Sequence, residues 1–497
     1  MATPSRTLRA ITLCAAAVLA GCALQPPPKP DEIRAEALPN VHVPAHWNVA
    51  TVAGAPVGND WLATFGDSRL DALVREALAY NADLRMASAR VEQAAAYAKA
   101  AGAAIYPAVN LLAHGGGKLG GDNSGINGGG LFASWELDLW GRVRAQRAAG
   151  AAQYEATALD AEYARQSLAA MVAKSWMLAI EARLLRGNAA DVVRASEQTL
   201  GLARERLRVG IGDEYDVSLA DASLYTARDA ERQLALGETE ARRALEALLG
   251  RFPAAEIEIA TALPRIPGPI PAGLPSELLE RRPDVIAAER RIAAAFHNVE
   301  EAKAARLPKI ALTAGVTAMS SNLFVLQDHN NPVMSLGANL AFPIFNGYAL
   351  QAQVEIRTAE QALAVADYGR IGLRAFGEVE TAMSAIAAAD DRGAILQGSL
   401  ATTSRSLELA QTRYRVGSGD LRGVLRENAS VYGARAALVQ VQADQLVQRV
   451  NLLLALGGRF DAQPPVAQGT LDGTATPGLA QVAADSTVLP AKAGVEQ

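Results

Sequence analysis

Ser68 raises the question of covalent chemistry. It stands in Gly66-Asp67-Ser68-Arg69-Leu70, a block of the kind that presents a serine nucleophile at a turn. Such a serine needs a histidine to take its proton, usually one oriented by a carboxylate. No Asp-x-x-His follows downstream, so the block reads as a helix start, with Asp67 or Ser68 capping a helix over Arg69–Tyr80. His42 and His46 are four apart, as metal ligands on a helix would be, but Pro39 and Pro44 argue against a helix there. Gly115-Gly116-Gly117-Lys118-Leu119 is glycine-rich with a lysine, yet no Ser or Thr follows, so a phosphate loop is not expected. The reading is of no enzyme, no cofactor and no metal.

Composition narrows the class. The 497 residues are 50% hydrophobic but only 5% aromatic, and about a fifth are Ala, which favours long, closely packed helices. A net charge of −5 gives no reason to expect nucleic acid as a partner. Two Cys and five His leave little for a disulfide framework or a zinc cluster.

The N-terminus reads as an address. Arg6 and Arg9 precede a short apolar run, Ala10–Ala20, that is too short for a permanent span and suits a secretory signal. The run ends Val18-Leu19-Ala20-Gly21-Cys22, which resembles the bacterial lipobox. The resemblance implies a signal over 1–21 and lipidation of Cys22, with Cys14 lost and no disulfide left. An ordinary signal cut near Ala20 is the rival reading. Several acyl chains would anchor the chain firmly where one would be marginal. Ala23 after the Cys, in place of an Asp, points to the outer membrane. Gln25–Pro30 reads as an extended tether within an N-terminal segment, 22–60.

The rest is two copies of one plan. Tyr106-Pro107 recurs as Leu307-Pro308, Leu139-Trp140-Gly141 as Phe345-Asn346-Gly347, Arg206–Asp213 as Arg413–Asp420, and Gly250-Arg251-Phe252 as Gly458-Arg459-Phe460. The offsets run from 201 to 208 in order, as a tandem duplication requires. The repeats are 61–250 and 281–460. A proline-rich link, 251–280, joins them, and 461–497 is a tail; the N-terminal segment, link and tail are expected to wrap the helices as an equatorial layer. No Pro lies between Pro107 and Pro253 or between Pro343 and Pro464, and Pro costs about 3 kcal/mol inside a helix. The stretches 142–209 and 348–416 therefore read as single long helices. Their ends, Val209-Gly210-Ile211-Gly212-Asp213 and Val416-Gly417-Ser418-Gly419-Asp420, form tips at 210–214 and 417–420, where Gly takes a left-handed cap. Helices 214–249 and 421–456 return. Together with Ala82–Ala104 and Asp284–Arg306 they match the long helices in length, each pair stacking end to end against one. Gly150, Gly187, Gly369 and Gly377 are expected where helices approach closely.

Between the helices, 107–140 and 308–345 alternate with period two: Leu131, Ala133, Trp135, Leu137 and Leu139; Ile310, Leu312, Ala314 and Val316; Met334, Leu336, Ala338, Leu340, Phe342 and Ile344; and, more weakly, Val109, Leu111 and Ala113. Such strands suit a membrane barrel, apolar outside and wet inside, with Gly115–Gly130 and Ser320–Pro332 as extracellular loops. Trp140, more than Trp135, suits an interfacial belt. A soluble sandwich is the rival, but the sequence offers no second sheet to match the apolar faces. Four strands cannot close a barrel, and open edges are not tolerated in lipid. Two copies would give eight strands with a filled interior; three give twelve with room for a channel. The expectation is a mostly α, homotrimeric protein: a 12-stranded β-barrel continuing into a long α-helical barrel.

Phe65–Leu73, Trp135–Arg142, Glu280–Val285 and the two Val-Gly-x-Gly-Asp turns together resemble the outer-membrane factor (TolC-like) family, in its NodT-type lipoprotein branch serving RND transporters. The resemblance covers about Trp61 to Phe460. It implies a passive exit duct for drugs or other small toxic molecules, driven by an inner-membrane RND-type pump through a periplasmic adaptor that contacts the tips: Val209, Gly210, Gly212, Asp213, Val416, Gly417, Gly419 and Asp420. It also implies an anchored outer-membrane location among lipid, with a large periplasmic extension. Relatives carry gate aspartates six and nine places after the second turn's first Gly; those places here hold Gly423 and Arg426, while Asp216 and Leu219 hold them in the first turn. The candidate gate is therefore Asp216, Asp420, Arg422 and Arg426, against the reading that these are solvated turn charges. The alternatives are a duct for type I secretion or metal efflux, and a non-conducting structural lipoprotein.

Overall fold

The computed structural model describes residues 26–44, 46–48, 58–114, 127–320 and 333–462. Cys22 and the expected signal over 1–21, the Gly115–Lys118 run and the tail from 463 lie outside the described residues. The elements in order are α1 (Pro30–Ala37), α2 (Ser68–Tyr80), α3 (Ala82–Ala103), β1 (Ala108–His114), β2 (Asn127–Leu137), α4 (Arg142–Arg208), α5 (Glu214–Leu248), α6 (Leu278–Arg281), α7 (Pro283–Ala304), β3 (Lys309–Ser320), β4 (Val333–Ala341), α8 (Ala349–Arg415) and α9 (Leu421–Ala455).

The two copies are matched in length. α3 and α7 each have 22 residues, α4 and α8 each 67, and α5 and α9 each 35. At the usual rise, 67 residues make a helix about 100 Å long. Both long helices start after a residue held at positive φ, Gly141 at 78° and Tyr348 at 67°. α3 and α5 lie on α4, and α7 and α9 lie on α8. α4 also packs on α7 and α9, which joins the repeats.

The short helices meet end to end through side chains at the junctions. Asn81 Oδ1 accepts the N–H of Leu84 at 3.1 Å and so caps α3, while its Nδ2 donates to Leu248 O, at the end of α5, at 3.0 Å. In the second repeat Arg282 precedes α7, and its Nη1 donates to Ala455 O, at the end of α9, at 3.1 Å. Gly250 and Gly457 turn the chain at these junctions with φ of 74° and 70°. A Cβ at Gly250 would stand 2.7 Å from Tyr80 O, so only glycine fits.

The four strands form one antiparallel sheet in the order β1-β2-β3-β4. Its register pairs Leu131 with Val316, Trp135 with Leu312, and Ala314 with Leu336, so one face is apolar from strand to strand. The other face carries Asn110, Ser134, Thr313, Ser335 and Asn339, with Phe132 set against Gly315. β1 and β4 are free edges. No described helix is long and apolar enough to cross a membrane.

Three buried clusters hold the helices. One joins α2, α4 and the ends of α5 and α9 around Trp61, Leu70, Trp176 and Leu446. The second joins α1, α7 and α8 around Ile33, Trp47, Val285 and Tyr368. The third lies between the two turns.

The structure corrects several expectations. The stretch after Gln25 is not extended throughout: Pro30 opens α1, Asp31 and Glu32 fill its first turn, and α1 lies on α8. Residues 127–130 belong to β2, not to a loop. Of the two caps expected for α2, Asp67 is the one used, accepting from the N–H of Arg69 and Leu70, while Ser68 is exposed in the first turn. Gly150 meets Ala98 and Ala101 closely and Gly369 meets Ala37, but a Cβ at Gly187 or Gly377 would meet nothing within 4 Å. Asp284, in the first turn of α7, is buried against Arg282 and Arg374.

Candidate functional site

The two turns meet. Gly210 and Gly417 close the long helices at φ of 80° and 82°, which disfavours any side chain. Two residues on, space is the constraint: a Cβ at Gly212 would lie 2.9 Å from Leu207 N, and one at Gly419 2.9 Å from Arg413 Cβ. Asp213 and Asp420 then cap the return helices, their Oδ1 atoms accepting from the N–H of Asp216 and Gly423, each at 2.7 Å. The two Val-Gly-x-Gly-Asp phrases are thus complete cap-to-cap turns.

Tyr414 and Arg206, which the sequence reading passed over, link the turns. Tyr414 lies three residues before Gly417 and is buried with Leu200, Ala203, Leu224 and Leu421. Its Oη donates to Asp216 Oδ2 at 3.3 Å. Arg206 Nη1 donates to Tyr414 O at 3.0 Å, and the guanidinium lies 4.7 Å from the Tyr414 ring. Burial, and then the Asp216 charge, push the Tyr414 hydroxyl above its ordinary pKa, so it stays a donor at neutral pH. Arg422 lies 5.6 Å from the Tyr215 ring, a second contact between repeats. Arg426 turns instead to Glu427, 3.4 Å away on its own helix. Of the four candidate gate residues, Asp216 and Arg422 reach across to the other turn, while Asp420 caps a helix. Val209, Ile211 and Val416 are exposed at the tips.

A second ionic centre lies far from the turns. Arg282 is 1% exposed; its Nε and Nη2 donate to Asp284 at 3.0 and 2.9 Å, and its Nη1 donates to Glu378 at 2.6 Å. Arg374 Nη2 donates to Asp284 at 3.1 Å. Burial opposes the charge on Arg282, but the bonds to Asp284 and Glu378 outweigh it and raise its pKa. Near the strands, Trp135 Nε1 donates to Ile105 O and Trp140 Nε1 to Pro308 O, both at 2.7 Å. Among the described residues, no group of three His, Cys, Asp or Glu is placed to hold a metal ion.

Comparison with known proteins agrees with this geometry. The family model "Outer membrane efflux protein" matches residues 73–251 and 274–458. The chain is 32% identical over 447 residues to the pyoverdine export outer membrane protein OpmQ of Pseudomonas putida, covering 85% of this chain and 93% of that one. It is 29% identical over 464 residues to the cation efflux system protein CusC of Escherichia coli, covering 90% and 98%. The open state of the MtrE outer membrane channel of Neisseria gonorrhoeae superposes with a TM-score of 0.76 at 28% identity, covering 89% of this chain and 99% of that one.

Proposed function

This chain belongs to the outer membrane efflux protein family, and from that premise we propose that three copies close their sheets into one barrel, the outer-membrane exit duct of a tripartite pump. One observation carries the trimer: a four-stranded sheet with a continuous apolar face and two unpaired edges, β1 and β4. An open edge in lipid leaves backbone N–H and C=O groups unpaired at several kcal/mol each, so β4 of one copy pairs with β1 of the next. Twelve strands leave a water-filled interior.

The paired turns are the periplasmic end of the duct. There the Tyr414–Asp216 bond and the Arg206 contacts hold the second repeat's turn against the first, and this link is the gate. Asp420, Arg422 and Arg426 stand around it. Val209, Gly210, Gly212, Asp213, Val416, Gly417, Gly419 and Asp420 form the surface offered to a periplasmic adaptor, itself joined to an inner-membrane RND-type pump. Cys22 carries the lipid that anchors the chain.

No bond is made or broken in this function. Cargo moves down a gradient set by the pump, and the wall needs only to be wet, wide and closable. The relatives' names, pyoverdine export and cation efflux, attach different cargoes to one architecture. The test is the mass of the detergent-solubilised particle by native mass spectrometry. Three protomers support the reading; a lone protomer overturns it.

A further inference from the structure

The duplication fixes how one copy should meet the next. Within the protomer, the first repeat's long helix α4 receives α7 and α9 of the second repeat. If six repeats are related alike around one axis, the second repeat's long helix α8 receives α3 and α5 of the neighbouring copy. The contacts between copies are then read from the contacts within one. α3 and α7 correspond at an offset of 201, while α4 and α8 correspond at 207, as do α5 and α9.

Burial fits this correspondence. Ala287 on α7 is 0% exposed, and its counterpart Met86 on α3 is 52% exposed. Ala156 on α4 is 0% exposed, and its counterpart Leu363 on α8 is 69% exposed. The pattern repeats with Ala149 and Ile356 and with Ala443 and Leu236, buried in the first member of each pair and exposed in the second. On α3, Met86, Arg90 and Tyr97 follow at helical spacing and are all exposed, so they share one open stripe. The open space a Cβ would find at Gly377 fits too, since its counterpart Ala170 is fully buried.

Charge fits more sharply. Three ion pairs join α4 to α7: Arg291 to Asp160, Arg290 to Glu155 at 3.4 Å, and Arg142 to Glu301 at 3.3 Å. The counterparts of the first pair are Arg90 and Asp367, again opposite charges. The counterparts of the second are Ala89 and Ala362, and of the third Ala349 and Ala100. Where one charge is gone its partner is gone as well, and where one is kept both are. Arg90 has no ion-pair partner among the described residues, and Asp367 meets only the exposed Arg370 one turn away.

We propose that the open stripe of α3 docks on α8 of a second copy of this chain, with Arg90 ion-paired to the partner subunit's Asp367. The proposal rests on the shared-barrel reading above. It adds the one polar contact that sets the register of helix against helix between copies, flanked by Met86 on one side and by the partner subunit's Leu363 on the other. Like the Arg291–Asp160 pair, it lies well away from both the sheet and the turns, so it belongs to neither the barrel closure nor the gate.

The test uses the full-length protein purified in mild detergent. Arg90→Cys and Asp367→Cys are made singly and together and treated with a short bismaleimide. The double variant should shift from protomer to covalent dimer and trimer on denaturing gels, and neither single variant should. Arg90→Asp and Asp367→Arg should each lower the fraction of particle that survives unheated SDS, and the two together should restore it to the parent level. A particle of three protomers in which the double-cysteine variant gives no cross-link and the double reversal gives no rescue overturns the contact but not the trimer. A parent protein that is a single protomer overturns both.

Discussion

Asn81 Nδ2 donates to Leu248 O at 3.0 Å while Asn81 Oδ1 accepts from Leu84 N–H, so one side chain closes the end of α5 and opens α3. Two helices from opposite ends of the first repeat thereby act as one rod beside α4. Asn81→Ala removes a cap and leaves buried polar groups without partners, which should cost about 1–2 kcal/mol. Thermal melting of the detergent particle should show a lower midpoint, and Asn81→Asp, which keeps the cap but not the donor, should fall between.

The second repeat makes the same joint with a charge, and the consequence of losing it is larger. Arg282→Ala leaves Asp284 and Glu378 with Arg374 as their remaining guanidinium, and removing one partner of a buried pair costs up to about 3–5 kcal/mol. The variant should fail to accumulate in the outer membrane. Arg282→Ala combined with Asp284→Ala should recover part of the loss, because the buried Asp284 carboxylate is then gone as well.

Glu246 predicts a pH dependence. Its carboxylate accepts from the N–H groups of Ala255, Glu256 and Ile257 at 2.6, 2.7 and 2.8 Å and ties the start of the inter-repeat link to α5. Burial alone would raise its pKa, but the three backbone donors and Arg251 prevail and lower it below the ordinary glutamate value. A depressed carboxylate stabilises the fold above its unfolded pKa and loses that contribution as pH falls through the folded value. Proteolysis of the link between 251 and 260 should therefore be slow near neutrality and quicken as pH falls below the ordinary glutamate range. Glu246→Gln should be cut faster at neutral pH and show less of the acid step.

The turns predict a graded effect on conductance. Tyr414→Phe or Asp216→Ala removes one hydrogen bond per protomer, about 1 kcal/mol each, or roughly fivefold in the open-to-closed ratio of each protomer's link. Asp420→Ala loses a helix cap instead and should lower stability with a smaller change in conductance. An Asp420→Ala effect equal to that of Asp216→Ala would move the gate to the second turn.

Much of this fold was legible because its signals are local. Proline-free runs gave the long helices, period-two runs gave the strands, and repeated phrases gave the duplication. The first turn of α2 was read to within one residue, though only coordinates could choose Asp67 over Ser68 as its cap. α1 was missed because Pro30 ends a proline run that reads as extended, although Pro followed by Asp31 and Glu32 is also a helix start. The link between the turns was missed for a different reason. Tyr414 and Asp216 are 198 residues apart, and nothing near either says that the other is its partner. Gly187 and Gly377 suit a close approach of helices, and in one protomer the space over both is open.

The central claim is that this chain builds a water-filled duct closed at its periplasmic end by the link between its turns. Single-channel recording of the purified Tyr414→Phe/Asp216→Ala protein in a planar bilayer tests it most directly. The account predicts discrete, ohmic steps that are open for a larger fraction of time than those of the parent. A correctly assembled particle that inserts and never conducts, with the link present or removed, would contradict it.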